Sequence, residues 1–475
     1  MARLSNEYEQ NVVLLDNLFR VKENFDVIKK PLTLGKDQLT FYYIDGFVKD
    51  GVMQKMMIYF LSVGNLGAQG ANAARNFLDA HVPYVETELC ESVETLAQMM
   101  LSGAVIMLGS NFGAQAIVID ARTYPARETS EPQNDRVMLG ARDGFVETLI
   151  FNTALIRRRI RDVALTMQYL TVGEKSKTDV VLCYMKDRAD MKFVEQIYQK
   201  LSSIKTDALP MGHQSLGECL IRNRWYNPFP KIRTTERPDA AAAQLLEGSV
   251  MILVDNSPEV MILPTGIFDF MQETNDYYFP PLTGTFLRLI RQVIMWLTLF
   301  MTPVWFLLVK NPHLVPSFLE FTIPETTGKI PILAQLLLTE FVIDGLRMAS
   351  MNTPDMLSNS LSVVGGLILG DFAISIGWLI PEVILYMAFV SIANFSQRNY
   401  ELGYAFKFLR IFLLIMTALL NIWGFVLGVA TVILLIVSNK TVNGKRSYLY
   451  PVIPFSWKAF KALIFRVKKQ DVESK

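Results

Sequence analysis

Residue types able to act as ligands, nucleophiles or general bases are sparse and scattered in this chain. His81, His213 and His313 lie far apart, Cys90, Cys183 and Cys219 have no metal-ligand spacing, and no His-Glu-x-x-His occurs. Gly64, Gly67 and Gly70 form a Gly-rich loop. No Gly-Lys-Ser/Thr follows it, so it reads as a structural turn rather than a phosphate cradle. No serine sits in a nucleophile elbow. The pattern predicts no catalytic residue, no metal and no cofactor, and hence not an enzyme. The chemistry on offer is that of placed charge. Arg157, Arg158, Arg159 and Arg161 crowd one helix end, and Arg233, Glu236, Arg237 and Asp239 form a second cluster. Arginine makes planar bidentate pairs suited to interfaces. Contact between subunits is therefore one reading for Arg157, Arg158, Arg159, Arg233, Glu236, Arg237 and Asp239. For the first cluster the others are contact with lipid headgroups and a solvated helix end; for the second they are a contact between domains and local capping by Asp239.

A further signal is charge inside apolar runs. Glu340, Asp344 and Arg347 recur at spacings of four and three, which puts all three on one helix face. An ionisable group in hydrocarbon faces a pore, a cavity or a partner; an interfacial helix with its charges in water is the competing reading. Asp371 and Glu382 stand near the ends of apolar runs. Gly365, Gly366, Gly370 and Gly377 thin one side of Leu361–Ile380. That is either ordinary close helix packing or a pore lining, with Val363, Val364, Leu367 and Ile368 as an apolar gate and Asp371 beside them.

The elements that must position these residues divide by polarity. The 475 residues carry a net charge of +1, which gives no basic field for nucleic acid. Three widely spaced cysteines fit a reducing compartment, and the first residues carry no secretory signal, so the polar part is expected in the cytoplasm. Residues 1–38 read as helical on the stripe Val12, Leu15, Phe19, Val21, Phe25. Leu39–Ile44 reads as a strand and Met53–Leu61 as a helix. Two segments look alike: Leu101–Leu108 continuing to Ala116–Ile119, and Leu246–Leu253 continuing to Val260–Leu263. Each is a helix end, a glycine, then two strands, which is either an internal duplication or two similar hairpins. Asp143–Leu170 reads as one long helix, Thr178–Tyr184 as a strand and Met191–Leu201 as a helix.

After Pro281 the bilayer sets the rules, with about 20 apolar residues per span. Leu287–Val309 and Leu361–Ile380 qualify, and Ile330–Met348 is long enough. Glu382–Phe395 is shorter, and His313–Thr326 reads as interfacial. Ala405–Val437 exceeds one span and reads as a helical hairpin with Asn421 and Gly424 near its middle. The basic tail places the C-terminus in the cytoplasm and makes the number of crossings even, four or six. The fold class is thus an α/β cytoplasmic region of two small subdomains, residues 1–170 and 171–230. The chain returns to that region and the junction at 231–284. An all-α multi-span membrane domain at 285–439 and a basic tail at 440–475 follow.

The junction carries a family resemblance. Thr235-Glu236-Arg237-Pro238-Asp239, Leu245-Leu246-Glu247-Gly248, Val254-Asp255, Pro264-Thr265 and Asp276-Tyr277-Tyr278 resemble the A subunits of GerA-type bacterial spore germinant receptors. Asp143–Glu147 with Asn152–Arg159 matches another stretch of that family, and Tyr43–Gly46 and Val364–Leu367 add to it. Asn256-Ser257 stands where receptors often have Gly-Thr, and the glutamine usual after Pro230 is absent. These departures resemble a sporulation paralogue more than a nutrient receptor. The resemblance implies a protein of the spore inner membrane, assembled with itself in a ring and acting as a channel for monovalent cations early in germination. It implies membrane lipid, a small membrane subunit and germinant receptors as partners. A non-conducting scaffold that clusters germination proteins, or a receptor A subunit, are the alternatives.

Overall fold

The structure, a computed structural model, describes residues 3–67, 69–70, 72–123, 141–221, 226–273, 275–325, 328–352, 370, 372–397, 399–442 and 448–465. The chain packs as two units. One comprises Met1–Arg222 and Ile232–Pro264, the other Asn223–Lys231 and Thr265–Lys475.

The first unit builds the same motif twice. Helix α1 (Tyr8–Phe19) leads to the hairpin β1 (Val27–Leu34) and β2 (Asp37–Ile44). Helices α2 (Asp50–Val63) and α3 (Ala73–His81), strand β3 (Thr87–Cys90), helix α4 (Val93–Leu101) and the hairpin β4 (Val105–Gly109) and β5 (Ala116–Ile119) follow. The second copy runs α5 (Leu149–Arg159), β6 (Leu165–Val172), β7 (Thr178–Met185), α6 (Met191–Ser202), α7 (His213–Leu220), β8 (Arg233–Thr235), α8 (Pro238–Leu246), β9 (Val250–Val254) and β10 (Val260–Leu263). The sheets have orders β1-β2-β4-β5-β3 and β6-β7-β9-β10-β8, related strand for strand. Every pairing between these strands is antiparallel, and the registers correspond. Tyr42 faces Ile106 in one sheet as Cys183 faces Met251 in the other. The central strands β4 and β9 are buried at every position, as unbroken apolar runs must be when helices cover the sheet. In each copy a glycine with positive φ, Gly103 or Gly248, stands between the helix end and that strand, where a left-handed residue costs least. Shared order, register and glycine favour duplication over coincidence.

Two helix expectations fail. The chain turns left-handed at Arg20, and Val27–Leu34 is a strand. As an edge strand it tolerates Pro31 and is half-exposed, so its alternation is weak. The run Asp143–Leu170 is likewise a helix only from Leu149 to Arg159 and a strand from Leu165. Two short apolar elements in succession imitate one long period.

The second unit is helical. Among the described residues its helices longer than a single turn of three residues are α9 (Asn275–Tyr278), α10 (Pro281–Lys310), α11 (Ile332–Asn352), α12 (Pro381–Phe395), α13 (Tyr400–Ser438) and α14 (Trp457–Ile464). Short turns at Pro312–Leu314 and Ser317–Thr322 occupy part of the stretch expected at an interface. Among the described residues, α10 and α13 are long and apolar enough to cross a membrane. Helix α13 breaks at Asn421, whose φ of 53° and ψ of −129° are not helical, and doubles back as a hairpin. A Cβ on Gly424 would lie 1.9 Å from the Met416 carbonyl oxygen, so only glycine lets the two arms approach this closely. Helix directions follow from side-chain contacts. Arg410 meets Thr298 and Asn421 meets Asn311, so the first arm of α13 runs parallel to α10. Arg410 meets Glu340 and Lys407 meets Asp344, so α11 runs antiparallel to both. At the start of α12 the Ile380 amide donates to Gln335, while at its end Phe395 lies over Arg347, so α12 runs parallel to α11. The two ends of the helical region meet where the Ile267 amide donates to the Tyr448 carbonyl at 2.9 Å.

Candidate functional site

The densest buried charge in the helical unit lies between α11 and α13. Glu340 and Asp344 are one turn apart on α11, and Lys407 and Arg410 lie on one face of α13 at a spacing of three. Arg410 is 1% exposed and places Nη2 2.7 Å from both carboxylate oxygens of Glu340. Lys407, 3% exposed, lies 3.3 Å from Glu340 and pairs with Asp344. The formal charges, two positive and two negative, cancel. Desolvating the three buried ions, Glu340, Lys407 and Arg410, costs several kcal/mol each, and mutual attraction offsets this only while their partners stay.

The cluster reaches a third helix. Arg410 Nη1 donates to the Thr298 carbonyl of α10 at 2.8 Å. Other buried threonines here, Thr298, Thr339 and Thr417, donate their hydroxyls to the carbonyl four residues back. For Thr302 that acceptor is the Thr298 carbonyl, already taken by Arg410. The Thr302 hydroxyl and Arg410 Nε are left without partners among the described residues. One turn beyond Asp344, the Arg347 guanidinium lies 4.9 to 5.3 Å from the rings of Phe395, Tyr400 and Tyr404, within cation–π range. The structure therefore brings Glu340 and Asp344 together and seats Arg347 separately. Lys407 and Arg410 escaped the sequence reading. Their signal was two cations, three apart, inside an otherwise apolar run.

Asp276 of the Asp-Tyr-Tyr motif is fully buried in α9, just ahead of α10. It pairs with Arg288 at 3.3 Å and Arg291 at 2.9 Å, while Glu273 lies 2.5 Å from Arg291. Glu382 falls in the first turn of α12, a favourable place for a carboxylate. The pore-lining candidates Val363, Val364, Leu367, Ile368 and Asp371 lie outside the described residues, as do Gly365 and Gly366.

In the first unit the arginine run is divided by helix geometry. Arg157 is 1% exposed and forms a fork with Asp26, Nε at 2.8 Å and Nη2 at 3.0 Å, joining the second repeat to the first. Nearby, burial pushes the Cys183 thiol well above its usual range, with the Arg157 guanidinium opposing that shift. Arg159 binds Asp143 and Arg158 is exposed. Arg237, buried, forks onto Asp239 at 3.0 and 2.6 Å and donates to the Ala141 carbonyl. Glu236 accepts from the Phe145 amide through its carbonyl, and Arg233 opens β8. His213 Nδ1 lies 2.5 Å from Ser257 Oγ and its Nε2 3.5 Å from Glu259. Burial lowers the imidazole's pKa, with Glu259 opposing. Ser257 is 2% exposed, so the trio fastens α7 to the β9–β10 turn instead of presenting a nucleophile. Among the described residues, no three His, Cys, Asp or Glu side chains gather as metal ligands would.

Comparison with known proteins returns one family across this framework. The model of the Bacillus/Clostridium GerA spore germination protein family matches residues 15–475. Stage V sporulation protein AF of Bacillus subtilis (strain 168) is 38% identical over 449 residues, covering 94% of this chain and 90% of that protein. Spore germination protein KA of the same organism is 27% identical, covering 94% and 82%. Among solved structures, the N-terminal domain of the A subunit of the Bacillus megaterium spore germinant receptor GerK3 matches 55% of this chain and 96% of its own. Its identity is 23% and its TM-score 0.41.

Proposed function

The chain belongs to the Bacillus/Clostridium GerA spore germination protein family, and on that premise we propose that it is a membrane subunit through which monovalent cations leave the germinating spore. The observation that carries the reading is the inverted polarity of the helical unit. Glu340, Lys407 and Arg410 are buried, while Leu419, Trp423, Ile433 and Leu434 of α13 and Phe286 and Val293 of α10 face outward at 54% exposure or more. Such a surface suits lipid or neighbouring copies, and ionisable groups inside it mark an ion path or a partner.

The helix directions support six crossings. Helix α10 goes one way, α11 returns, α12 runs parallel to α11, and the two arms of α13 go and return. Asn352 and Gly377 stand at opposite ends of α11, Gly377 being held by the Lys329 amide beside the start of that helix. With the crossing that the sequence predicts at Leu361–Ile380, α10, α11, that segment, α12 and the two arms of α13 would make six. Both ends of the region then share one side, in keeping with cytoplasmic termini in a spore inner membrane. A ring of copies is the assembly this reading entails. Arg158 and Arg233 are its contact candidates, Val363, Val364, Leu367, Ile368 and Asp371 its lining, and a small membrane subunit and germinant receptors its companions.

A non-conducting scaffold is the second reading. The charges of the α11–α13 cluster cancel within one copy, as a purely structural brace requires. Purified protein in potassium-loaded liposomes separates the two. The channel reading expects potassium efflux that depends on the protein, and a scaffold gives efflux no faster than protein-free vesicles.

A further inference from the structure

Helix α11 is anchored unevenly along its length. Its first nine residues bury Ile332, Gln335, Leu336, Thr339 and Glu340, the spacing of a packed helical face. From Phe341 to Ser350 no side chain is buried. Ile343 packs at the margin of the apolar core; the rest of that second half holds on by charge, Asp344 to Lys407 and Arg347 within the rings of Phe395, Tyr400 and Tyr404. All but one of the groups it grips lie on the first two turns of α13. Between the two anchors sits Gly345, where a Cβ would meet nothing within 4 Å. No close packing explains that glycine, which weakens a helix interior by about 1 kcal/mol relative to alanine.

We propose that residues 341–350 form a charge-latched lever, and that release of Asp344 from Lys407 and of Arg347 from its aromatic box lets this half of α11 swing from α13 and opens the cation path. A segment with few buried apolar contacts and a handful of polar ones opens at lower free energy than a packed helical face. The Arg410–Glu340 pair, deeper and tied to α10, is the fulcrum and stays closed. The gating part rests on the channel reading above; the latch itself does not.

The test uses the full chain in lipid nanodiscs and, in parallel, in potassium-loaded liposomes. Asp344→Asn and Arg347→Gln are each expected to raise amide exchange across 341–350 by about tenfold. Exchange at 332–340 and in strands β4 and β9 should stay as in the parent, and Asp344→Glu should restore protection. Potassium efflux should rise in step with exchange, and Gly345→Ala, which stiffens the lever without touching a charge, should lower it. Unchanged exchange at 341–350 in both neutral variants overturns the latch. Raised exchange with efflux equal to that of a conducting parent overturns gating by the lever. If parent and all variants are equally impermeable, the channel reading falls, and the exchange measurement still decides whether the latch exists.

Discussion

Arg157 and Arg158 are neighbours in sequence with opposite fates. At 100° per residue one side chain of such a pair turns inward while the next faces solvent. Arg157 meets Asp26 across the two repeats, both side chains at 2% exposure or less. Arg157→Ala would leave a buried carboxylate alone, and we expect a loss of about 3–5 kcal/mol. Replacing both, Arg157→Met with Asp26→Leu, should recover most of it, because the paired ions gain little over apolar packing. Thermal unfolding of the solubilised chain checks this, and a double variant as unstable as the single would show that the site needs charge. The arginine run was plain in the sequence. Its partner, 131 residues away, was not, because nothing local in Asn24-Phe25-Asp26 announces a buried carboxylate.

At the scale of elements, periodicity located the long helices well and short edge strands badly. Helix α10 contains the expected Leu287–Val309, and α13 extends the expected Ala405–Val437 at both ends. The break at Asn421 was legible because a polar residue beside glycine interrupts a run too long for one span. Its closeness was not legible, since it depends on Met416 and Gly424 meeting across the turn. Gly424→Val should therefore prevent the arms from closing, at a cost of about 3 kcal/mol or more. The readout is trypsin sensitivity after Lys440, which should rise in the variant; parent-like resistance would mean that the hairpin tolerates a Cβ.

At the scale of the whole molecule, the prediction concerns sidedness. Single cysteines at His313 and Trp423 should react with a membrane-impermeant thiol reagent from one side of sealed vesicles, and cysteines at Ser396 and Trp457 from the other. All the exchanged positions are at or near helix ends in the second unit. Labelling of His313 and Ser396 from one side would reduce the number of crossings. The duplicated sheets of the first unit belong to this scale as well. Two similar hairpins hinted at them, but the matching first halves, α1-β1-β2 and α5-β6-β7, share no pattern strong enough to be read.

By itself the sequence determined the polarity of each region, the long apolar helices, the glycines that end α4 and α8, and the family, because these depend on local composition, period and short motifs. Tertiary structure alone decided which charges neutralise each other. Arg410 reaches Glu340 across 70 residues, and Arg157 reaches Asp26 across 131. Burial makes an ion's partner a matter of survival for the fold, yet a partner is chosen by where helices cross, and no window along the chain contains that crossing.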